Sequence, residues 1–160
     1  MAAGPAGQRA VRRRLRDRLD ANRPSDPGPG VSLAVVEVSP TTTPHPEGRD
    51  RLLTALGARL VDITRPSDLV VRTSAGDFVL VLDGARSPHA LATARRRIAD
   101  ALSRPVLVDN RPVRPGVRVG LLAAGPDDTV EALLGRVGVL ATSDGRDARR
   151  VRAIRTLLPL

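Results

Sequence analysis

Residues 70–84, VVRTSAGDFVLVLDG, contain two apolar runs separated by a short polar segment. The runs are Leu69 to Val71 and Phe78 to Leu82, and the segment between them includes Ala75-Gly76-Asp77. This pattern is typical of a β-hairpin whose tip lies between the runs. The second run does not alternate with polar residues, which indicates a strand covered on both faces. The sequence therefore predicts a central strand that begins at a hairpin tip.

The length and composition predict one domain with an aliphatic core. The chain has 160 residues, of which 41% are hydrophobic but only 1% are aromatic, so Leu, Val, Ala and Ile must fill the interior. Phe78 is the single aromatic residue. A chain without Tyr or Trp lacks the stacking platforms that commonly hold single-stranded nucleic acid.

The basic charge is weak evidence for a polyanionic partner. The net charge is +9, and all 26 basic residues are arginine, which together with abundant Ala, Gly and Pro is typical of a GC-rich genome. The chain has no cysteine, and this excludes disulfides and thiolate metal sites. No apolar run approaches the roughly 18 residues of a membrane span, so we expect a cytoplasmic protein.

Hydrophobic spacing predicts helices alternating with strands. Helices are predicted over residues 9–20, 49–63 and 89–102, and a fourth helix is predicted from residue 128 onwards. Strands are predicted over residues 31–38, in the hairpin, and over residues 106–108, 117–122 and 150–154. The strands over 106–108 and 117–122 are predicted to pair with each other. Residues 39–48, rich in Pro and Thr, are predicted to be irregular. This order predicts an α+β fold of the ferredoxin-like kind, with a largely antiparallel sheet of about five strands covered by helices.

We expect three segments along the chain. Residues 1–30 form an Arg-rich helix followed by a Pro/Gly linker, residues 31–155 form the main domain, and residues 156–160 form a tail. In the first segment, Val11, Leu15 and Leu19 form one narrow apolar stripe, which favours a helix docked along one seam over a nucleic-acid-binding arm.

Residues 48–85, GRDRLLTALGARLVDITRPSDLVVRTSAGDFVLVLDGA, resemble the GGDEF domain of diguanylate cyclases. An Arg65-x-x-Asp68 motif, Arg72 and Phe78 fall at the family's positions around its signature hairpin. The resemblance extends to the VVEV strand upstream and to RPGVRVGLLA downstream. It implies a nucleotide-cyclase-like fold and a bacterial protein of cyclic di-GMP signalling.

The resemblance also implies that the catalytic signature is degenerate. Active relatives condense two GTP molecules with two metal ions held by carboxylates. The signature G-G-[DE]-E-F reads Ser74-Ala75-Gly76-Asp77-Phe78 here. A glycine therefore occupies the position of the family's metal-binding carboxylate. Glu37 falls at the metal-binding Asp of the first strand, and Arg49 replaces a guanine-reading Asp. The resemblance therefore predicts an inactive cyclase that does not bind Mg²⁺ as active relatives do, with Glu37 and Asp77 as vestiges of the metal site.

A product-binding site of the family is retained in this comparison. It consists of Arg65 and Asp68 before the hairpin and of Arg97 on the helix after it. Bidentate arginine contacts suit a guanine edge or a phosphate. The same spacing occurs at Arg14 and Asp17, so only the register against the hairpin singles out Arg65. The alternative interpretation is a helix-end arginine paired with a turn aspartate.

The leading hypothesis is a catalytically inactive GGDEF-like regulatory domain that binds cyclic di-GMP through Arg65, Asp68 and Arg97. The alternative is a ligand-free interaction module that forms a homodimer or binds a regulatory protein. A basic nucleic-acid-binding protein that uses the helix of residues 9–18, and an active diguanylate cyclase, are the remaining hypotheses.

Overall fold

The computed structural model describes residues 2–21, 30–39, 45–73 and 76–142. The helices are α1 (Gly4–Ala21), α2 (Pro46–Ile63), α3 (Pro88–Ser103) and α4 (Val130–Thr142). The strands are β1 (Ala2–Ala3), β2 (Val31–Val38), β3 (Leu69–Arg72), β4 (Phe78–Asp83), β5 (Val106–Val108), β6 (Arg111–Val113) and β7 (Val117–Ala123). The strand predicted over residues 150–154 lies outside the described residues.

Five of these strands form one sheet in the order β1-β3-β4-β2-β7. Strand β4 pairs antiparallel with β3 and β2, β2 pairs antiparallel with β7, and β1 pairs parallel with β3. The order β7-β2-β4-β3, with α2 and α3 as the connecting helices, is that of a ferredoxin-like βαββαβ unit. The predicted α+β fold, with a largely antiparallel sheet and β4 at its centre, is confirmed.

Strand β4 is buried on both faces, as its continuous apolar run predicts. Val79 and Val81 belong to a core with α1 and α4, whereas Phe78, Leu80 and Leu82 belong to a second core with α2 and α3. Successive side chains of a strand point to opposite faces, so each helical layer receives alternate residues of β4. The sheet is therefore the middle of three layers.

Helix α1 is part of this three-layer core. Val11 and Leu15 are fully buried, and Leu19 packs against the same cluster. The apolar stripe thus docks α1 along one seam, as predicted. The proposed division of the chain at residues 30 and 155 stays a prediction, and most of the linker and the whole tail lie outside the described residues.

Two predicted helix starts and one predicted strand pairing were wrong for local reasons. Helix α1 begins at Gly4, five positions before the predicted start, with Pro5 in its first turn. Helix α2 begins at Pro46, three positions before the predicted start, because proline is well tolerated in the first turn, where its missing N–H has no helical partner. Strand β5 pairs with β6 instead of β7. The two residues that join them, Asp109 and Asn110, both have positive φ, which suits a tight two-residue hairpin turn. Strand β7 is therefore free to join the main sheet beside β2.

None of the helices within the described residues is both long and apolar enough to cross a bilayer.

Candidate functional site

The hairpin tip is a short loop closed by its own backbone. The Thr73 N–H donates to the Asp77 carbonyl (2.8 Å), and the Gly76 N–H donates to the Thr73 carbonyl (3.1 Å). The Thr73 hydroxyl accepts a further hydrogen bond from the Asp77 N–H (3.1 Å). Ser74 and Ala75 lie outside the described residues. The tip is therefore anchored at both ends by Thr73 and Asp77, which are both buried.

The Asp77 carboxylate fastens the tip to the end of β2. Its Oδ1 accepts a hydrogen bond from the Val38 N–H (3.1 Å). Glu37, the preceding residue, is 5% exposed and lies opposite Arg118 of β7. The two carboxylates that the sequence singled out thus lie at the same end of the sheet.

A guanidinium group lies at this end as well. Arg49, in the first turn of α2, donates through Nη1 to the Ser39 carbonyl (3.0 Å) and through Nη2 to the Val38 carbonyl (3.3 Å). A Cβ atom built on Gly76 would come within 3.0 Å of the Arg49 Nη2 atom. A positive charge carried by the protein itself therefore lies between the end of β2 and the hairpin tip.

The backbone conformation at position 76 and the space around it both favour glycine. Its φ is +85°, and its added Cβ would also lie 3.0 Å from Leu53 Cδ1. Residues other than glycine rarely adopt such a backbone conformation, because the Cβ approaches the carbonyl oxygen. A larger residue at position 76 would need a change of the backbone and a shift of Arg49 or Leu53.

A cleft lies at the opposite end of β4, about 17 Å from the tip at the usual rise of a strand. Its volume is about 220 Å³, and Arg65, Asp68 and Arg97 all line it, together with Asp83 and His89. Arg65 and Arg97 are exposed. The three residues that the sequence assigned to one ligand site are therefore brought together in one open cleft.

Asp68 shapes the loop at the edge of this cleft. Its Oδ2 accepts a hydrogen bond from the Arg65 N–H (2.8 Å), and its Oδ1 accepts one from the Asp83 N–H (2.9 Å). The Arg65 guanidinium does not pair with this carboxylate, and within the described part of the chain neither Arg65 nor Arg97 has an ion-pair partner. The turn therefore forms through backbone donors and leaves the Arg65 side chain available to the cleft, which Arg97 lines from α3.

Sequence reasoning missed the residues that support this loop. Asp83 lines the cleft, and its carboxylate forms ion pairs with Arg14 and Arg18 of α1. The available signal was the spacing of these arginines, which immediately precede Leu15 and Leu19 and so flank the buried stripe of the helix.

A comparison with protein families identifies the fold and its hairpin. The model of the family described as "Diguanylate cyclase, GGDEF domain" matches residues 45–142. The chain belongs to the GGDEF family. The match includes the hairpin tip, the loop of Arg65 and Asp68, and helix α3. The GGDEF resemblance seen in the sequence is therefore confirmed.

Solved structures of GGDEF domains share the fold. The GGDEF domain of YfiN (TpbB) from Pseudomonas aeruginosa has a TM-score of 0.71 and 21% identity, with 99% of this chain and 96% of that chain covered. The coiled coil and GGDEF domain of DgcB from Caulobacter crescentus, in complex with c-di-GMP, has a TM-score of 0.70 and 14% identity and covers 94% and 79%. Diguanylate cyclase SiaD from Pseudomonas aeruginosa, in complex with its activator SiaC, has a TM-score of 0.65 and 22% identity and covers 93% and 55%. A search of curated proteins finds no match to the sequence.

Proposed function

We propose that this GGDEF domain is a regulatory receptor for cyclic di-GMP that does not itself condense GTP. The observation that carries the proposal is the convergence of Arg65, Asp68 and Arg97 on one open cleft. The domain would bind the dinucleotide at this cleft, and binding would change its interaction with a partner protein.

The chemistry of the cleft suits a cyclic dinucleotide. Such a ligand presents two phosphodiester groups and two guanine bases, and a guanidinium fork can donate two parallel hydrogen bonds to either group. Each Asp68 oxygen accepts one backbone N–H and keeps a second lone pair, which can accept from the N–H donors of a guanine edge. The structure of DgcB with c-di-GMP supports the choice of ligand through a protein of the same fold.

The chemistry of the hairpin tip argues against cyclase activity. Two-metal catalysis of phosphoryl transfer needs several hard oxygen ligands around a pair of dications. Gly76 offers no side chain, and one Asp77 oxygen already holds the Val38 N–H. The Arg49 guanidinium, hydrogen-bonded to two carbonyl groups beside Gly76, would repel a divalent cation. These residues do not fit the metal pair of active relatives, and we propose no catalytic step through metal ions.

Incubation of the full chain with GTP and Mg²⁺ tests whether the domain condenses GTP. We expect no cyclic di-GMP by chromatography and mass spectrometry, because Gly76 stands where active relatives have a metal-binding carboxylate. Formation of product in proportion to protein concentration, abolished by Asp77→Ala, would show instead that the domain is an active cyclase.

Calorimetric titration with cyclic di-GMP tests the receptor function. We expect saturable heat at micromolar ligand, and weaker binding at higher salt, since the cleft recognises anionic groups through arginine. GMP at the same concentration serves as the control ligand, because it cannot engage both arginines through two linked phosphates. Absence of heat at high micromolar cyclic di-GMP would contradict the receptor function.

That outcome would favour a ligand-free interaction module. The complex of SiaD with its activator SiaC shows that a protein of this fold binds a protein partner, and it supports this second candidate. Nucleic-acid binding through α1 is less supported, since Arg12 pairs with Glu131 while Arg14 and Arg18 pair with Asp83. These three side chains serve internal contacts.

A further inference from the structure

Asp83, the last residue of β4, joins three parts of the molecule. Its backbone N–H holds Asp68 at the edge of the cleft (2.9 Å). Its carboxylate, with the side chain 10% exposed, accepts from Arg18 Nη2 and lies 3.4 Å from Arg14 Nη2. One residue thus connects the cleft loop, the central strand and helix α1.

Arg14 adds a second connection to the same loop. Its Nη2 atom also donates to the Ser67 carbonyl, one residue before Asp68. The loop that carries Arg65 and Asp68 is therefore held from two sides, by the Asp83 backbone and by a side chain of α1. If α1 moved away from the sheet, Asp83 and the Ser67 carbonyl would both lose their arginine partners.

The charges of this cluster are not balanced without a ligand. The cleft and its support hold four guanidinium groups, on Arg14, Arg18, Arg65 and Arg97, against the two carboxylates of Asp68 and Asp83. Asp83 Oδ1 and the Nε atoms of Arg14 and Arg18 are buried without a hydrogen-bond partner among the described residues. An excess of two positive charges favours a dianionic ligand in the cleft, and such a ligand in turn favours α1 in its docked position.

We infer that Asp83, together with Arg14 and Arg18, positions the cleft loop and couples the docking of α1 to occupancy of the cleft. This inference rests on the proposed function for its ligand, and on the contacts alone for the positioning. Helix α1 is then the element that transmits the effect of ligand binding in the cleft to any protein or domain in contact with this helix. Coupling of this kind is reciprocal, so anything that holds α1 on the sheet also raises the affinity for ligand.

Two double variants of α1 test this inference. Arg14→Gln with Arg18→Gln removes both partners of Asp83, whereas Arg13→Gln with Arg16→Gln removes the same charge from exposed positions of the same helix. Amide hydrogen exchange by NMR reports on the Asp83 N–H and on α1 without ligand, and calorimetry reports the affinity for cyclic di-GMP. Exchange of the β2 amides distinguishes local loosening from global unfolding.

We expect the first double variant to speed exchange of the Asp83 amide and of α1, and to weaken cyclic di-GMP binding about fivefold. The second double variant should change neither. Equal exchange of the Asp83 amide in the two variants overturns the positioning role, whether or not the ligand binds. Faster exchange with equal affinities overturns the coupling. Faster exchange in a chain whose wild type binds no cyclic di-GMP supports the positioning role and overturns the receptor function instead.

Discussion

Replacing Phe78 by alanine is expected to lower the free energy of unfolding by about 3–5 kcal/mol. Phe78 is fully buried in the core that β4 shares with α2 and α3, and it is the only aromatic residue of the chain. Its neighbours are aliphatic side chains already in contact with each other, so they cannot collapse fully into the space of a lost ring. A loss of this size is a large part of the stability of an ordinary domain, about 5–15 kcal/mol.

Urea unfolding followed by far-ultraviolet circular dichroism measures this change, since the chain has no Trp to report by fluorescence. Phe78→Leu is the matched control, because it keeps most of the volume and should cost less than about 1.5 kcal/mol. A free energy of unfolding of the alanine variant within about 1 kcal/mol of the wild-type value would contradict the role of Phe78 in filling this core.

Replacing Arg65 by alanine is expected to weaken cyclic di-GMP binding at least about tenfold, because a hydrogen bond to a charged group contributes about 1.5–3 kcal/mol. Arg65 is exposed and lines the cleft, so its removal should leave the thermal midpoint of unfolding nearly unchanged. Arg65→Lys keeps the charge but loses the fork, and we expect an intermediate affinity. Calorimetric titration measures all of these affinities.

Arg95→Ala is the control for this prediction. Arg95 is exposed on the same helix as Arg97 but does not line the cleft. Its removal tests how much of the effect comes from net charge alone. If Arg65→Ala and Arg95→Ala weaken binding equally, the ligand is held by diffuse charge and the assigned contacts are wrong.

Much of the fold was predictable because β4 carries a strong local signal. A run of five apolar residues after a polar break specifies a central strand with two covered faces, and the helical spacing on either side supplies the covers. The pairing of β5 was not predictable from apolar pattern alone. It depends on Asp109 and Asn110, which both adopt positive φ and close a tighter hairpin than the longer loop that the pattern suggested.

Part of the candidate site was also predictable from the sequence, and part was not. The GGDEF resemblance identified Arg65 and Asp68 by their register against the hairpin and Arg97 by its place on the following helix, and the structure brings the three residues together in one cleft. The contacts of Asp83 with α1 depend on how that helix is rotated against the end of β4, which tertiary packing decides. The position of Arg49 depends on the reach of a long side chain from α2 to the β2 carbonyls, and sequence spacing does not reveal this.

Arg49 places a permanent positive charge of the chain beside the hairpin tip. Its guanidinium joins the first turn of α2 to the end of β2 beside Gly76. A cation that is covalently part of the chain cannot be diluted, chelated or exchanged. The link that Arg49 makes between α2 and the end of β2 therefore does not depend on a bound divalent ion.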